Sequence, residues 1–256
     1  MESKTVPFLT AEHINKKFGS ITALEDVSLS VCQGEILAIA GDNGAGKTTL
    51  IKIMSGVIRP DSGTIVIGGK EYRELTPAKA IKAGISTVYQ DLALGNTMDV
   101  TSNIFLGNER TSAGFLKKRE MDEAAEKLIE GLDIHIADVT VPVGRLSGGQ
   151  RQGVAVARLI SRSGKLLIFD EPTAAMGLNE SRSVLKLIRR LAGEGYGVIM
   201  ISHNLPQILQ VADRVCIMRQ GRVIRELETS DITLEELEDL ISGNTETGSQ
   251  VNHENE

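Results

Sequence analysis

The chain contains no tryptophan, and aromatic residues make up only 3% of its 256 positions. A surface that binds nucleic acid by stacking bases on aromatic side chains is therefore not expected. Basic residues do not dominate either: 28 Lys and Arg face 34 Asp and Glu, for a formal charge of −6. Phosphate backbones are neutralised by clustered cations, so nucleic acid is not expected as a partner. There are two cysteines, Cys32 and Cys216, each in an apolar strand-like run and neither in a paired-ligand spacing. Both are expected to be buried thiols rather than a disulfide or a metal site. No apolar run reaches the length that spans a bilayer; the longest, such as residues 198–201, are strand-length. Glu2 and Lys4 at the start do not read as a secretory leader, which places the expected location in the cytoplasm. No internal repeat is visible.

What is present is 41% hydrophobic and 24% charged, the balance of a globular domain. Its length allows one large domain, or one domain with an inserted subdomain. Strand-like and helical patterns alternate along it. Residues 64–67, after the turn Pro60-Asp61-Ser62-Gly63 and before Gly68-Gly69, read as one arm of an antiparallel hairpin. Leu166-Leu167-Ile168-Phe169 and Val198-Ile199-Met200-Ile201 are continuous apolar runs, the pattern of parallel strands buried on both faces. A helix bearing Val184, Leu185, Leu187, Ile188 and Leu191 lies between them. Within 121–132, Ala124, Leu128 and Leu132 are expected to form the apolar face of another helix. Residues 215–218 with Val223-Ile224 suggest a final hairpin. The alternation predicts an α/β fold with a largely parallel sheet. The polar tail from Gly243 to Glu256 is expected to be disordered.

The most informative segment is Gly41-Asp42-Asn43-Gly44-Ala45-Gly46-Lys47-Thr48-Thr49. It follows the apolar run Ile36-Leu37-Ala38-Ile39-Ala40 and precedes Leu50, Ile53 and Met54 at helical spacing. A strand, a glycine-rich turn and a helix start form the setting of a phosphate-binding P-loop. Bare backbone can fold around an anion, and the helix N-terminus adds unpaired N–H donors and the positive end of its dipole. Lys47 can reach β- and γ-phosphates, and the Thr48 hydroxyl can ligate Mg²⁺. A nucleoside triphosphate is the expected ligand.

A second anion-binding pattern is Leu146-Ser147-Gly148-Gly149-Gln150, ahead of a helical run with Val154, Ala155 and Leu159. Ser147 and Gln150 have capping-box spacing, which puts Ser147 at a helix N-terminus beside two residues without side chains. Taken alone, this is also what an ordinary capped helix start looks like.

With the P-loop, this pentapeptide resembles the signature of ATP-binding cassette (ABC) ATPases. The family's other motifs have counterparts in the same order across residues 18–203. Phe18 matches the aromatic residue that stacks on adenine, and Gln90 matches the Q-loop glutamine. Asp170 and Glu171 match the Walker B aspartate and the catalytic glutamate, and His203 matches the switch histidine. The resemblance implies ATP and Mg²⁺ as cofactors, with Thr48, Gln90 and Asp170 around the metal and Glu171, His203 and Gln90 at the reacting centre. Asp170 ends a buried strand, where parallel sheets hold ligands. Glu171, the next residue along, is expected to project to the other side and meet the attacking water.

The implied fold is a P-loop ABC cassette with a RecA-like mixed sheet core, an antiparallel β subdomain and an inserted helical subdomain. Residues 5–242 are expected to form this single domain, with 90–155 as the helical subdomain and 5–89 plus 156–242 as the core. In the family, the signature loop closes over a phosphate held by a second cassette. One P-loop and one signature loop therefore imply a homodimer. One departure is Gly177, where the family's D-loop usually carries aspartate.

Tyr89-Gln90-Asp91-Leu92-Ala93-Leu94, Asp99-Val100-Thr101, Asn103, Phe105-Leu106-Gly107, Ile201-Ser202-His203-Asn204 and Val211-Ala212-Asp213-Arg214 are similar to ATPases of bacterial monosaccharide importers. That likeness implies membrane permease subunits and a sugar-binding protein as partners, with the chain peripheral at the cytoplasmic face of the inner membrane. It extends to the single-cassette, fructose-type branch. An ABC ATPase serving another solute and a non-transport ABC ATPase remain the alternatives.

Overall fold

The computed structural model describes residues 6–162, 164–174 and 176–243. The expected disorder of the tail therefore lies, from residue 244 on, outside the described residues. The chain opens with β1 (Leu9–Phe18) and β2 (Ile21–Val31), then β3 (Ile36–Ala40) and α1 (Lys47–Met54). β4 (Ser62–Ile67), β5 (Lys70–Tyr72), α2 (Pro77–Lys82) and β6 (Ile85–Val88) follow. A mostly helical stretch holds α3 (Val100–Phe105), the short hairpin β7 (Thr111–Ser112) and β8 (Phe115–Leu116), α4 (Lys118–Gly131) and α5 (Gly148–Ser161). Next come β9 (Leu166–Asp170), α6 (Leu178–Gly193), β10 (Gly197–Ile201) and α7 (Leu205–Val211). β11 (Arg214–Arg219), β12 (Arg222–Glu228) and α8 (Leu234–Ser242) complete the described chain.

The central sheet runs β12-β11-β3-β10-β9-β6 and is parallel except for β12, which turns back on β11. β3, β9 and β10 are buried along their whole length, as their unbroken apolar runs require of strands covered on both faces. Alternate residues feed two cores. Ala38, Phe169 and Met200 join the helices α3–α8, while Ile39, Ile168 and Ile201 pack against α1, α2 and the second sheet. That second sheet, β2-β1-β4-β5, is antiparallel throughout. Both expected hairpins are present, as β4–β5 and β11–β12. The mixed sheet core, antiparallel sheet and helical insert are those of a P-loop ABC cassette.

Two local expectations change. The core face of α4 is Met121, Ala125 and Ile129, with Leu132 buried just past its end as expected and Ala124 and Leu128 half-buried beside it. Either phase fits the helical period, and packing against α3 and α5 selects the one that seats Met121 and Ile129. Cys216 is buried within β11, and burial pushes its thiol up to about 12. Cys32, however, lies one residue past β2 and is only half-buried; its peptide N–H donates to Glu35 Oε1 at 3.0 Å. The 155/156 position falls inside α5, which runs unbroken from the signature loop to Ser161.

Candidate functional site

Three parallel strands end side by side. In register, Ile201 pairs with Asp170 across one ladder and with Ile39 across the other. The loop after β3, the residue after β9 and the residues after β10 therefore gather at the C-terminal edge of the sheet, where open parallel sheets leave room for ligands. A cavity of about 590 Å³ opens there. Its walls include Asn43–Thr49 (43–49), Gln90, Asp170, Glu171 and His203.

The glycine-rich loop is shaped by packing as well as by freedom of rotation. Gly46 caps α1 in the left-handed region at φ 101°, and a Cβ there would stand 2.7 Å from the Ala23 carbonyl oxygen. No side chain caps α1, so the N–H donors of its first turn face the cavity without a competing acceptor from the cap residue. Lys47 is buried, and its Nζ donates to the carbonyls of Gly41 at 2.5 Å and Asp42 at 2.8 Å. Burial holds its ammonium below the usual lysine range, while the carboxylates of Glu171, Asp42 and Asp170 pull the other way. Such a desolvated cation gains from phosphate oxygens placed beside it.

Asp170 is 9% exposed, and burial followed by the neighbouring Glu171 charge raises its carboxyl above the ordinary range. An added divalent cation would reverse that penalty. Mg²⁺ is commonly held by one or two carboxylates together with substrate phosphates. Asp170, the Thr48 hydroxyl and the Gln90 amide supply oxygen ligands on the same cavity wall, so these residues fit the metal.

Glu171 departs from the expected geometry. It lies just past the strand at φ 53°, a left-handed backbone, and its N–H donates to the Ile201 carbonyl at 3.0 Å. The twist undoes strand alternation: Glu171 and Asp170 line the same cavity instead of projecting to opposite sides. Glu171 Oε2 then lies 2.8 Å from Nδ1 of His203, whose ring is mostly exposed. Gln90 lines the same cavity, and its neighbour Tyr89 is anchored by a hydroxyl 2.8 Å from Ser55 Oγ at the end of α1.

Phe18 does not line this cavity. It is 47% exposed at the tip of β1, paired with Ile21, and Ile21 with Thr22 and Ala23 does line it. These three wall residues carry no motif; the packing of β2 against the P-loop and β12 brings them in. Asp42 faces a neighbouring cavity with His203 and α8 residues. The signature residues are also elsewhere within the chain. Ser147 accepts from the Gln150 N–H at 3.3 Å, and the Gln150 side chain accepts from the Ser147 N–H at 2.9 Å, a complete capping box. The Gln150 amide donates to the His135 carbonyl at 2.7 Å. Gly148 faces a second cavity, of about 310 Å³, whose far wall is Gln90, Asp170 and Glu171. Ser147, Gly149 and Gln150 face a third with Glu180. Sequence reasoning gave no place to Glu180 or to Gln152 of the second cavity; neither belongs to a short motif with chemistry of its own.

Known proteins share this arrangement. A family model described as "ABC transporter" matches residues 24–174. The xylose/arabinose import ATP-binding protein XylG of Sulfolobus acidocaldarius is 44% identical over 234 residues, 91% of this chain and 93% of that protein. The fructose import ATP-binding protein FrcA of Rhizobium meliloti is 43% identical over 245 residues, 93% and 94% of the two chains. A solved ATP-binding cassette of an ABC transporter superposes with a TM-score of 0.80 at 29% identity, covering 93% of this chain and 96% of its own. A P-loop and a pair of carboxylates within a match running from β2 past Glu171, with His203 beside them on the same sheet edge, have one reading: the chain belongs to the ABC transporter family, as an ATP-binding cassette that hydrolyses ATP to drive transport.

Proposed function

We propose that this cassette energises the import of a monosaccharide, working as a pair of identical chains on permease subunits at the cytoplasmic face of the membrane. The observation that carries the catalytic part is the meeting of Lys47, Asp170, Glu171, His203 and Gln90 on one cavity. The sugar is supported by XylG and FrcA, both named for sugar import and both matched over nearly their full lengths.

In this reading Lys47 and the first turn of α1 hold the β- and γ-phosphates. Asp170, Thr48 and Gln90 hold Mg²⁺, which when bound neutralises phosphate charge. Glu171 takes the proton of a water as its oxygen attacks the γ-phosphorus and the bond to the β-phosphate oxygen breaks, releasing ADP and phosphate. His203, hydrogen-bonded to Glu171, keeps that carboxylate aimed and reports the γ-phosphate. Phe18, at the exposed tip of β1, stacks on adenine. Ser147, Gly148, Gly149 and Gln150 are absent from the walls of the chain's own P-loop cavity, although Gly148 borders Gln90, Asp170 and Glu171 in the adjoining one, and in this reading they act on the nucleotide of a second chain. The helical insert of 90–155 faces the permease.

The test is capture of Glu171→Gln with Mg-ATP from its own membranes, followed by identification of what co-purifies. A polytopic permease and a sugar-binding protein are expected. Ribosomal or DNA-repair proteins without a permease would overturn the transport reading and leave the ATPase standing.

A further inference from the structure

Gln152 lies in the second turn of α5 and is only 1% exposed. Its Nε2 has no hydrogen-bond partner. A buried amide left unpaired costs about 1–3 kcal/mol, so a folded chain does not keep one without reason. The hydroxyls of Ser86, Thr87 and Thr101 also lack partners, but none of them lines a cavity with the reacting residues. Gln152 does: it lines the cavity of about 310 Å³ that Gln90, Asp170 and Glu171 also line.

The helix that carries it is firmly seated. Gly153 packs so closely on Ile134 that a Cβ would stand 2.3 Å from its Cδ1. Arg158 of the same helix donates to the carbonyls of Leu92 at 2.6 Å and Ala93 at 2.9 Å, just downstream of Gln90. α5 is thus fastened to the segment bearing Gln90, and its N-terminal turn carries the signature residues. With α5 and the Gln90 segment tied together, a reorientation of the side chains within this shared cavity would let the free donor of Gln152 meet the amide oxygen of Gln90.

We propose that Gln152 is a positioning residue for hydrolysis. Its amide nitrogen is unpaired, and it donates to the Gln90 side chain, directly or through one water, when nucleotide is bound. The pairing sets Gln90 beside the metal and the attacking water, linking the signature helix to the chain's own reacting centre. This rests on the ATPase reading above.

The experiment compares the full chain with Gln152→Met and Gln152→Leu, which keep the size of the side chain and remove the donor. Melting temperature without nucleotide is measured beside kcat and KM for ATP. The expected result is a melting temperature equal to or above that of the parent, KM within twofold, and kcat down about tenfold, the loss of one hydrogen bond that aligns Gln90 for the chemical step rather than holding the nucleotide. Unchanged kcat would overturn the proposal. So would a fall in kcat accompanied by a lower melting temperature in both variants, since that would mark Gln152 as a packing residue. Glu171→Gln, run in parallel, separates the two readings: if it turns over normally the ATPase mechanism fails, and if it alone is dead the Gln152 proposal fails.

Discussion

Glu171 Oε2 and His203 Nδ1 lie 2.8 Å apart although they come from the ends of different strands, and Glu171 reaches that position on a left-handed backbone at φ 53°. Non-glycine residues held there cost of order 1 kcal/mol or more, and such strain is characteristic of functional positions. Two substitutions separate the charge from the strain. Glu171→Gln is expected to cut ATP turnover by at least about 100-fold with an unchanged melting temperature. Glu171→Gly is expected to lose turnover equally and to melt higher, because glycine adopts this backbone freely. Phosphate-release assays and calorimetry on both variants check the pair.

Gly46 and Gly44 have positive φ, 101° and 85°, but different surroundings. A Cβ at Gly46 meets the Ala23 carbonyl oxygen at 2.7 Å and Leu24 Cδ2 at 2.8 Å, whereas at Gly44 nothing lies within 4 Å. Gly46→Ala is therefore expected to cost about 3 kcal/mol and to abolish nucleotide binding, since strand β2 must move. Gly44→Ala is expected to cost about 1 kcal/mol of backbone strain alone. Denaturant unfolding distinguishes the two.

Asp170 gives a pH prediction with a definite sign. Burial, then the Glu171 charge, raises its carboxyl above the ordinary range. A raised acid favours the protonated folded form, so its contribution to stability is fully present below the unfolded carboxyl's range and is lost as pH rises through the folded value. At neutral pH without Mg²⁺, Asp170→Asn is expected to melt above the parent chain, and the gap is expected to narrow as pH falls through the raised folded value, levelling off below about 4. Thermal melts across pH in a chelator test this. A gap that widened toward acid would contradict it.

Gly177 is not demanded by the backbone. Its φ of −69° is open to any residue, and a Cβ there meets nothing within 4 Å. As the cap residue of α6 it offers no side chain, and only Glu180 Oε2 accepts its N–H, at 3.4 Å. Gly177→Asp is expected to fold and to gain a few tenths of a kcal/mol as an N-cap. Its ATPase rate against ATP concentration then reads how an added carboxylate at this position affects coupling between two cassettes.

The sequence made legible whatever is written locally. β3, β9 and β10 are unbroken apolar runs, the loop before α1 carries its own glycines, and Ser147 and Gln150 cap α5 as their spacing requires. What escaped depends on residues distant in sequence. Ile21, Thr22 and Ala23 enter the cavity wall because β2 packs on the P-loop and β12. The phase of α4 was set by its neighbours, since Ala124 and Ala125 fit the period equally well. The turn at Glu171 follows from its N–H bond to Ile201, which no local pattern announces. Gln152 passed as one more polar residue on an amphipathic helix, and its burial became visible only with the helices packed around it.

The flush ends of β3, β9 and β10 have a consequence for how this chain can vary. A slip of one residue in either ladder would move a motif by about 3.3 Å along the strand and exchange the two faces of every side chain behind it. The spacing between Glu171 and His203 is therefore guarded by Phe169, Met200 and their neighbours, which never meet nucleotide. Substitutions deep in the interior would surface first as slow turnover, before any loss of folding, and selection acting on catalysis reaches through the sheet to residues with no chemistry of their own.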